Sequence, residues 1–99
     1  MAKADATRID ALAQAFANLR DAGEARRFLL DLTTPAERAS LAERWQVAKL
    51  LATGTMTYRQ IHEATGVSTT TIVRVARSLN DEDNGGYRTL IDRETKELS

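Results

Sequence analysis

The residue pattern from Thr57 to Asn80 predicts two short helices joined by a tight turn. Thr57 is followed three residues later by Gln60, the spacing at which a threonine hydroxyl and a glutamine side chain cap a helix start reciprocally. Gly66 comes barely two turns later and, because it lacks a Cβ, can adopt the left-handed conformation that closes a helix. Ser68 is then a favourable N-cap for a second helix.

Apolar residues recur at helical spacing through both halves of this segment and continue across the turn. They are Ile61, Ala64, Val67, Ile72, Val75, Ala76 and Leu79. We therefore expect the two helices to share one apolar side at a steep crossing angle, which is the arrangement of a helix-turn-helix.

The other face of the segment is polar and cationic. It carries Arg59, Thr69, Thr70, Val73, Arg74 and Arg77, with Ser68 at its start. Hydroxyl and guanidinium groups of this kind contact phosphates and read base edges in a major groove. Short helices joined through a glycine also occur in proteins that bind no nucleic acid, so the pattern favours DNA binding without requiring it.

The 14 basic and 14 acidic side chains of this 99-residue chain cancel, but they are unevenly distributed. Residues 57–80 contain three arginines and one acid, Glu63, whereas residues 81–99 contain six acids and three bases. A weakly cationic segment predicts few phosphate contacts per chain, and hence a modest affinity for DNA from one copy. Dimerisation would double the number of those contacts.

Composition excludes several other classes of protein. A chain of this length predicts one domain with a limited buried surface. The absence of cysteine removes disulfides and thiolate metal sites, and a single histidine, His62, argues against a multi-histidine metal site or Ser-His-Asp catalysis. We therefore expect no enzymatic activity, no metal and no other cofactor. The first residues alternate charges with alanines, which predicts a cytoplasmic protein with no membrane partner.

Helical periodicity extends through the rest of the chain, which contains one proline and five glycines. An all-α fold follows. We predict a first helix over residues 5–21, a shorter one over residues 24–32 and a final helix over residues 87–97. The segment 24–32 is expected to bury three side chains, namely Phe28, Leu29 and Leu32.

The strongest helix start in the sequence lies at Thr34. Thr34 is a favourable N-cap, Pro35 suits the first helical position, and Glu37 completes a capping box. The helix should extend to about Ala52. Its apolar surface is broad, which indicates burial against several helices or against a second chain.

The stretch from Thr34 to about Asp92 resembles the Trp repressor family, and more closely its YerC/YecD branch. The matching motifs occur in order: the TPAER helix start, MTYRQI before and within the first helix of the helix-turn-helix, GVSTTTIVR in the second, and SLN at its end. The resemblance implies an all-helical, intertwined homodimer that binds double-stranded DNA. In that arrangement residues 1–99 are one domain, with the dimerisation core helices in residues 1–54 and the helix-turn-helix in residues 57–80.

Matching the family residue by residue implies roles in DNA contact. Arg59 would reach DNA from the first helix of the motif, and Thr69 and Thr70 would approach base edges from the second. The resemblance implies phosphate contacts for four further residues, namely Tyr58, Ser68, Thr71 and Arg74.

The tryptophan pocket of the Trp repressor is matched only in part by this sequence. Arg44 and Arg74 match the arginines that hold the ligand, and Thr34 and Ser78 match a threonine and a serine of the pocket. Val75, however, stands where a glycine lets the indole lie against the backbone. A β-branched side chain would occupy the ligand's volume, and overpacking of this kind costs about 1–3 kcal/mol. We therefore expect a vestigial pocket that does not take tryptophan.

Two mechanisms remain open for that pocket. Either Val75 and its neighbours fill it and hold the helix-turn-helix permanently in the position that binds DNA, which we favour, or a smaller effector sets the angle of the motif.

The function indicated is a sequence-specific DNA-binding transcriptional regulator, a repressor, that acts as a homodimer without control by tryptophan. The zero net charge supports one alternative, a protein-interaction module that keeps the helix-turn-helix as a scaffold without binding DNA.

Overall fold

A computed structural model describes the backbone of residues 3–98 and the side chains of residues 3–97. Within this range the chain forms six helices and no strand, which confirms the predicted all-α fold. The helices are α1 (Lys3–Ala17), α2 (Ala22–Leu32), α3 (Pro35–Ala52), α4 (Tyr58–Thr65), α5 (Thr69–Asn80) and α6 (Gly86–Leu98). The chain divides into two compact units, one ending at Arg38 and the other beginning at Ala39.

The first unit contains α1 and α2. Helix α1 ends at Ala17, four residues before the predicted end, because Asp21 serves as the N-cap of α2 instead of continuing α1. The Asp21 carboxylate accepts a hydrogen bond from the Glu24 amide at 2.8 Å. The rings of Phe16 and Phe28 meet edge to face, with centroids 5.5 Å apart.

Neither α1 nor α2, both fully described, buries a side chain. Phe28 and Leu29 are only half-buried, and Leu32 is exposed. The predicted burial of these three residues is therefore wrong for a single copy of the chain, since two helices alone offer too little surface to cover a side chain on every side. Phe16, in spite of its ring contact, stays 47 % exposed.

The start of α3 is held by the predicted capping box. The Glu37 amide donates to the Thr34 hydroxyl at 3.2 Å, and the Thr34 amide donates to the Glu37 carboxylate at 2.9 Å. The bond from the Thr34 amide, and after it the interaction of the carboxylate with the Thr34 side chain, stabilises the ionised form and lowers the pKa of Glu37. The guanidinium group of Arg38 donates to the carbonyl oxygens of Leu30 and Thr33, at 3.0 and 2.7 Å, and so ties the end of α2 to the first turn of α3.

The core of the second unit is made by α3, α4, α5 and the turn between the last two. Its buried side chains are Val47, Ala48, Ile61, Val67, Ile72 and Val75. Tyr87 and Ile91 bring α6 against this cluster, and the Tyr87 ring stacks on Trp45 of α3 with centroids 6.4 Å apart. Burial of each large apolar side chain contributes about 1.5–3 kcal/mol, so this cluster fixes α4 and α5 to the remaining helices of the unit.

Candidate nucleic-acid interface

Helix α4 has the predicted start and the predicted end. The Gln60 amide donates to the Thr57 hydroxyl at 3.1 Å, and the Thr57 amide donates to the Gln60 side chain at 2.8 Å. After eight residues the helix closes at Gly66, whose φ of 74° lies in the left-handed region and whose amide donates to the His62 carbonyl. Glycine is required here because other residues are strained in this conformation.

The turn between α4 and α5 is also fixed by side chains. His62 Nδ1 lies 2.7 Å from the Val67 carbonyl oxygen, and since a carbonyl can only accept, Nδ1 carries the proton of this bond. The Thr65 hydroxyl donates to the Ile61 carbonyl at 2.7 Å and accepts from the Val67 amide at 3.1 Å. The bond between His62 and Val67 is not among the features predicted from the sequence. No local pattern signals it, because the contact exists only once the chain has reversed through the left-handed glycine.

Ser68 is the N-cap of α5, as predicted. Its hydroxyl accepts from the Thr71 amide at 3.2 Å and donates to the Thr71 hydroxyl at 3.0 Å. The inward side of α5 consists of Ile72, Val75, Ala76 and Leu79, all of them buried. The shared apolar side predicted from the sequence is thus confirmed, with the exception of Ala64, which is exposed.

The outward side of α5 is a polar surface that we call the reading face. Its members line one shallow cleft and are Thr69, Thr70, Val73, Arg74 and Arg77. All five are exposed, and α5 contains no acidic residue. Neither arginine has a polar partner among the residues that the structure describes. Both guanidinium groups are therefore available to an external anion.

Two more of the predicted site residues lie in the first turn of α4. Tyr58 is exposed, and Arg59 Nε lies 3.2 Å from the Glu63 carboxylate, with both of these side chains mostly in solvent. An exposed ion pair of this spacing contributes only about 0.3–0.5 kcal/mol. Arg59 can therefore exchange Glu63 for another anion at little cost.

The residues of the expected vestigial pocket have separate surroundings. Thr34 belongs to the first unit, where its hydroxyl caps α3. In the second unit Arg44 is half-buried, with no polar partner in the described part of the chain, and Val75 is 2 % exposed within the core. Arg74 lines the cleft of the reading face, whereas Ser78 lines another cleft beside the Trp45 and Tyr87 rings.

Among residues 3–97 no group of three or more histidine, aspartate or glutamate side chains is arranged to hold a metal ion. None of the six helices described combines the length and the apolar character needed to cross a bilayer.

Residues 7–95 match a family model described as Trp repressor protein. The uncharacterized protein YerC of Bacillus subtilis (strain 168) is 44 % identical over 85 residues, which covers 86 % of this chain and 80 % of that protein. The crystal structure of a TrpR-like protein from Eubacterium eligens has a TM-score of 0.79 and 43 % identity, covering 90 % of both chains. That of a candidate Trp repressor from Staphylococcus aureus has a TM-score of 0.79 and 38 % identity, covering 90 % of this chain and 87 % of the other.

Proposed function

This chain belongs to the Trp repressor family, and from that premise we propose that it is a sequence-specific DNA-binding transcriptional repressor that acts as a homodimer. The observation that carries the proposal is the division of α5 into two sides. One side is buried in the core, and the other offers two threonines and two unpaired arginines to solvent. A helix held this way can enter a major groove without disturbing its own packing.

In this proposal some residues of α5 and α4 contact bases and others contact phosphates. Thr69 and Thr70, in the first turn of α5, approach base edges, and Arg74 binds a phosphate. Arg59 leaves its ion pair with Glu63 to contact DNA from α4.

Two hydroxyl residues complete the proposed phosphate contacts, and a third positions one of them. Tyr58 is exposed in the first turn of α4. The Ser68 hydroxyl donates its hydrogen to the Thr71 hydroxyl. The hydroxyl hydrogen of Thr71 therefore remains free to donate to a phosphate, and Ser68 positions Thr71.

The proposal of a homodimer is supported by the apolar residues that a single chain leaves exposed. The larger ones outside the helix-turn-helix are Ile9, Phe16, Leu30, Leu32, Leu41 and Leu90. Most of them lie in residues 1–54, the part of the chain assigned to dimerisation. A second copy would remove this surface from water and would also supply the second DNA contact that a weakly cationic helix-turn-helix needs.

Independence from tryptophan is the part of the proposal that depends on Val75. This side chain is 2 % exposed and belongs to the same buried cluster as Val47, Ala48, Ile61 and Ile72. In a core packed at protein density, a side chain so placed leaves no room for an indole. The position of α5 is then set by the packing of the chain's own side chains, and the protein binds DNA without an effector.

The test is DNA binding at two salt concentrations. Sequences would first be selected from a random pool with the purified protein, and we expect paired half-sites about one helical turn, ~34 Å, apart. Affinity for the selected DNA should fall as salt rises, and the double variant Arg74→Ala/Arg77→Ala should bind more weakly with a smaller salt dependence. The matched control, Arg88→Ala/Arg93→Ala, makes the same change of charge on α6.

A folded protein that shows no salt-dependent binding to any selected fragment would overturn the proposal. That outcome would favour the protein-interaction module, for which the zero net charge is the supporting observation.

A further inference from the structure

Val73 is the one apolar member of the reading face, and folding does not explain its presence there. The buried residues of α5 lie on the other side of the helix, and Val73 is 37 % exposed. Valine is also a weak helix former because its branched side chain loses rotamer freedom in a helix. An exposed helical position therefore gains nothing for stability from this residue.

The neighbours of Val73 place it among the groups that would meet DNA. It lies one turn after Thr69 and Thr70 and one turn before Arg77, and all of them line the same cleft with Arg74. The isopropyl group is thus surrounded by hydroxyl and guanidinium groups. If the helix enters a major groove as proposed, Val73 lies between the residues assigned to base edges and the arginines.

The chemistry of the major groove identifies what a valine can recognise. Each base pair presents hydrogen-bond donors and acceptors there, but only thymine also presents a methyl group. Valine has no polar group, so it cannot pair with a donor or an acceptor, and it would leave those of a cytosine or guanine unsatisfied. An apolar contact with the thymine methyl is therefore the base contact that suits its side chain best.

We infer that Val73 is a specificity-determining residue that packs against the 5-methyl group of a thymine in each half-site. This inference rests on the proposed function and adds to it the identity of one base. The favoured half-site contains a thymine opposite the middle of α5, and the protein discriminates against uracil at that one position.

The test replaces single thymines by deoxyuridine in the selected DNA, which removes the methyl group and leaves all hydrogen-bonding groups in place. At one position in each half-site the wild-type protein should bind about fourfold more weakly, the effect expected for one buried methyl group. The variant Val73→Ala, whose shorter side chain reaches less far, should lose most of the preference for thymine over uracil at that position. Val73→Thr has the shape of valine and keeps one methyl group. It serves as a second variant in which α5 stays folded.

The outcomes separate this inference from the proposed function. If the wild-type protein binds no DNA in a salt-dependent way, both are wrong. If it binds but no thymine-to-uracil change weakens binding, or if Val73→Ala keeps the same preference for thymine, the contact with thymine is wrong and the proposed function stands. Val73→Ala should have the same oligomeric state in solution as the wild type. Dissociation of this variant into smaller species would instead place Val73 in a protein contact.

Discussion

His62 Nδ1 donates a hydrogen bond to the Val67 carbonyl oxygen at 2.7 Å, which joins the middle of α4 to the residue just before the N-cap of α5. The bond spans the left-handed Gly66 and adds to the backbone bond that the Gly66 amide donates to the His62 carbonyl. It leaves Nε2 of the imidazole without a role in the turn. The only histidine of the chain therefore helps to set the position from which α5 starts.

Replacing His62 by alanine should lower the free energy of unfolding by about 1 kcal/mol, the net contribution of one hydrogen bond. Urea unfolding at a fixed protein concentration measures the change, since a dimer would make stability depend on concentration. Glu63→Ala is the matched control on the same helix, because it removes only an exposed ion pair and should change stability by no more than about 0.5 kcal/mol. Equal effects of the two variants would show that the Val67 bond has no energetic importance.

Gly66→Ala should destabilise the fold by about 1–2 kcal/mol, because alanine is strained at a φ of 74°. The space around a Cβ at this position is open, so the cost comes from the backbone and not from a clash. Gly86→Ala, at the first residue of α6, also meets open space but has no positive φ. Thermal unfolding should find that variant neutral or more stable by up to about 1 kcal/mol. Similar destabilisation at both glycines would contradict the explanation by strain.

Glu63→Gln should strengthen DNA binding about twofold at low salt. The carboxylate of Glu63 holds Arg59 in an ion pair, and its removal frees the guanidinium group for a phosphate. Binding is measured by fluorescence anisotropy on the selected DNA, with Glu94→Gln on α6 as a control for the change in net charge. Addition of Arg59→Ala should abolish the gain. The idea would be refuted by an equal gain in the control, or by one that persists without Arg59.

Isothermal calorimetry with tryptophan should detect no binding. The reason is the burial of Val75 at the position through which the family's ligand would approach the backbone. A micromolar dissociation constant would contradict the proposal that α5 is held in place by packing alone.

The packing role of Val75 can be checked independently of any ligand. Val75→Ala should cost about 2 kcal/mol of stability, since it leaves a cavity in the core. Val73→Ala removes the same atoms from the exposed side of the same helix and should change stability by less than about 0.5 kcal/mol.

The capping box of α3 should make stability depend on pH below the range near 4.5 where a glutamate ordinarily titrates. The hydrogen bond from the Thr34 amide to the Glu37 carboxylate, and after it the interaction of that carboxylate with the Thr34 side chain, lowers the pKa of Glu37 in the folded state. The ionised carboxylate therefore stabilises the fold above pH 4.5, and this contribution is lost as the pH falls through the lowered pKa. Urea unfolding of wild type and Glu37→Gln should differ at pH 6 and converge in acid. A difference that stays constant with pH would exclude this role.

Local signals predicted the parts of the fold that depend on a few neighbouring residues. The Thr57 and Thr34 capping boxes and the left-handed Gly66 follow from residue types at fixed short spacings, and all three are present. The end of α1 could not be placed, because helical periodicity continues past Ala17 and only the competing cap at Asp21 decides it.

Burial was less predictable than helix formation. The apolar stripe of α2 shows which side chains need cover, but not whether another part of the same chain supplies it. In the helix-turn-helix both partners lie within one short segment, so the buried side of α5 was correctly predicted. The roles of single residues in DNA contact stay predictions, since they depend on a partner that the sequence does not contain.

The separation of buried from exposed positions on α5 has a consequence for divergence within the family. Substitutions at Thr69, Thr70 or Val73 alter only what the helix presents to its surroundings, while those at Ile72 or Val75 alter what keeps it folded. Selection can therefore act on the two sets separately. Descendants of one ancestral fold could come to control different genes through a handful of surface exchanges, with no intermediate that loses its structure.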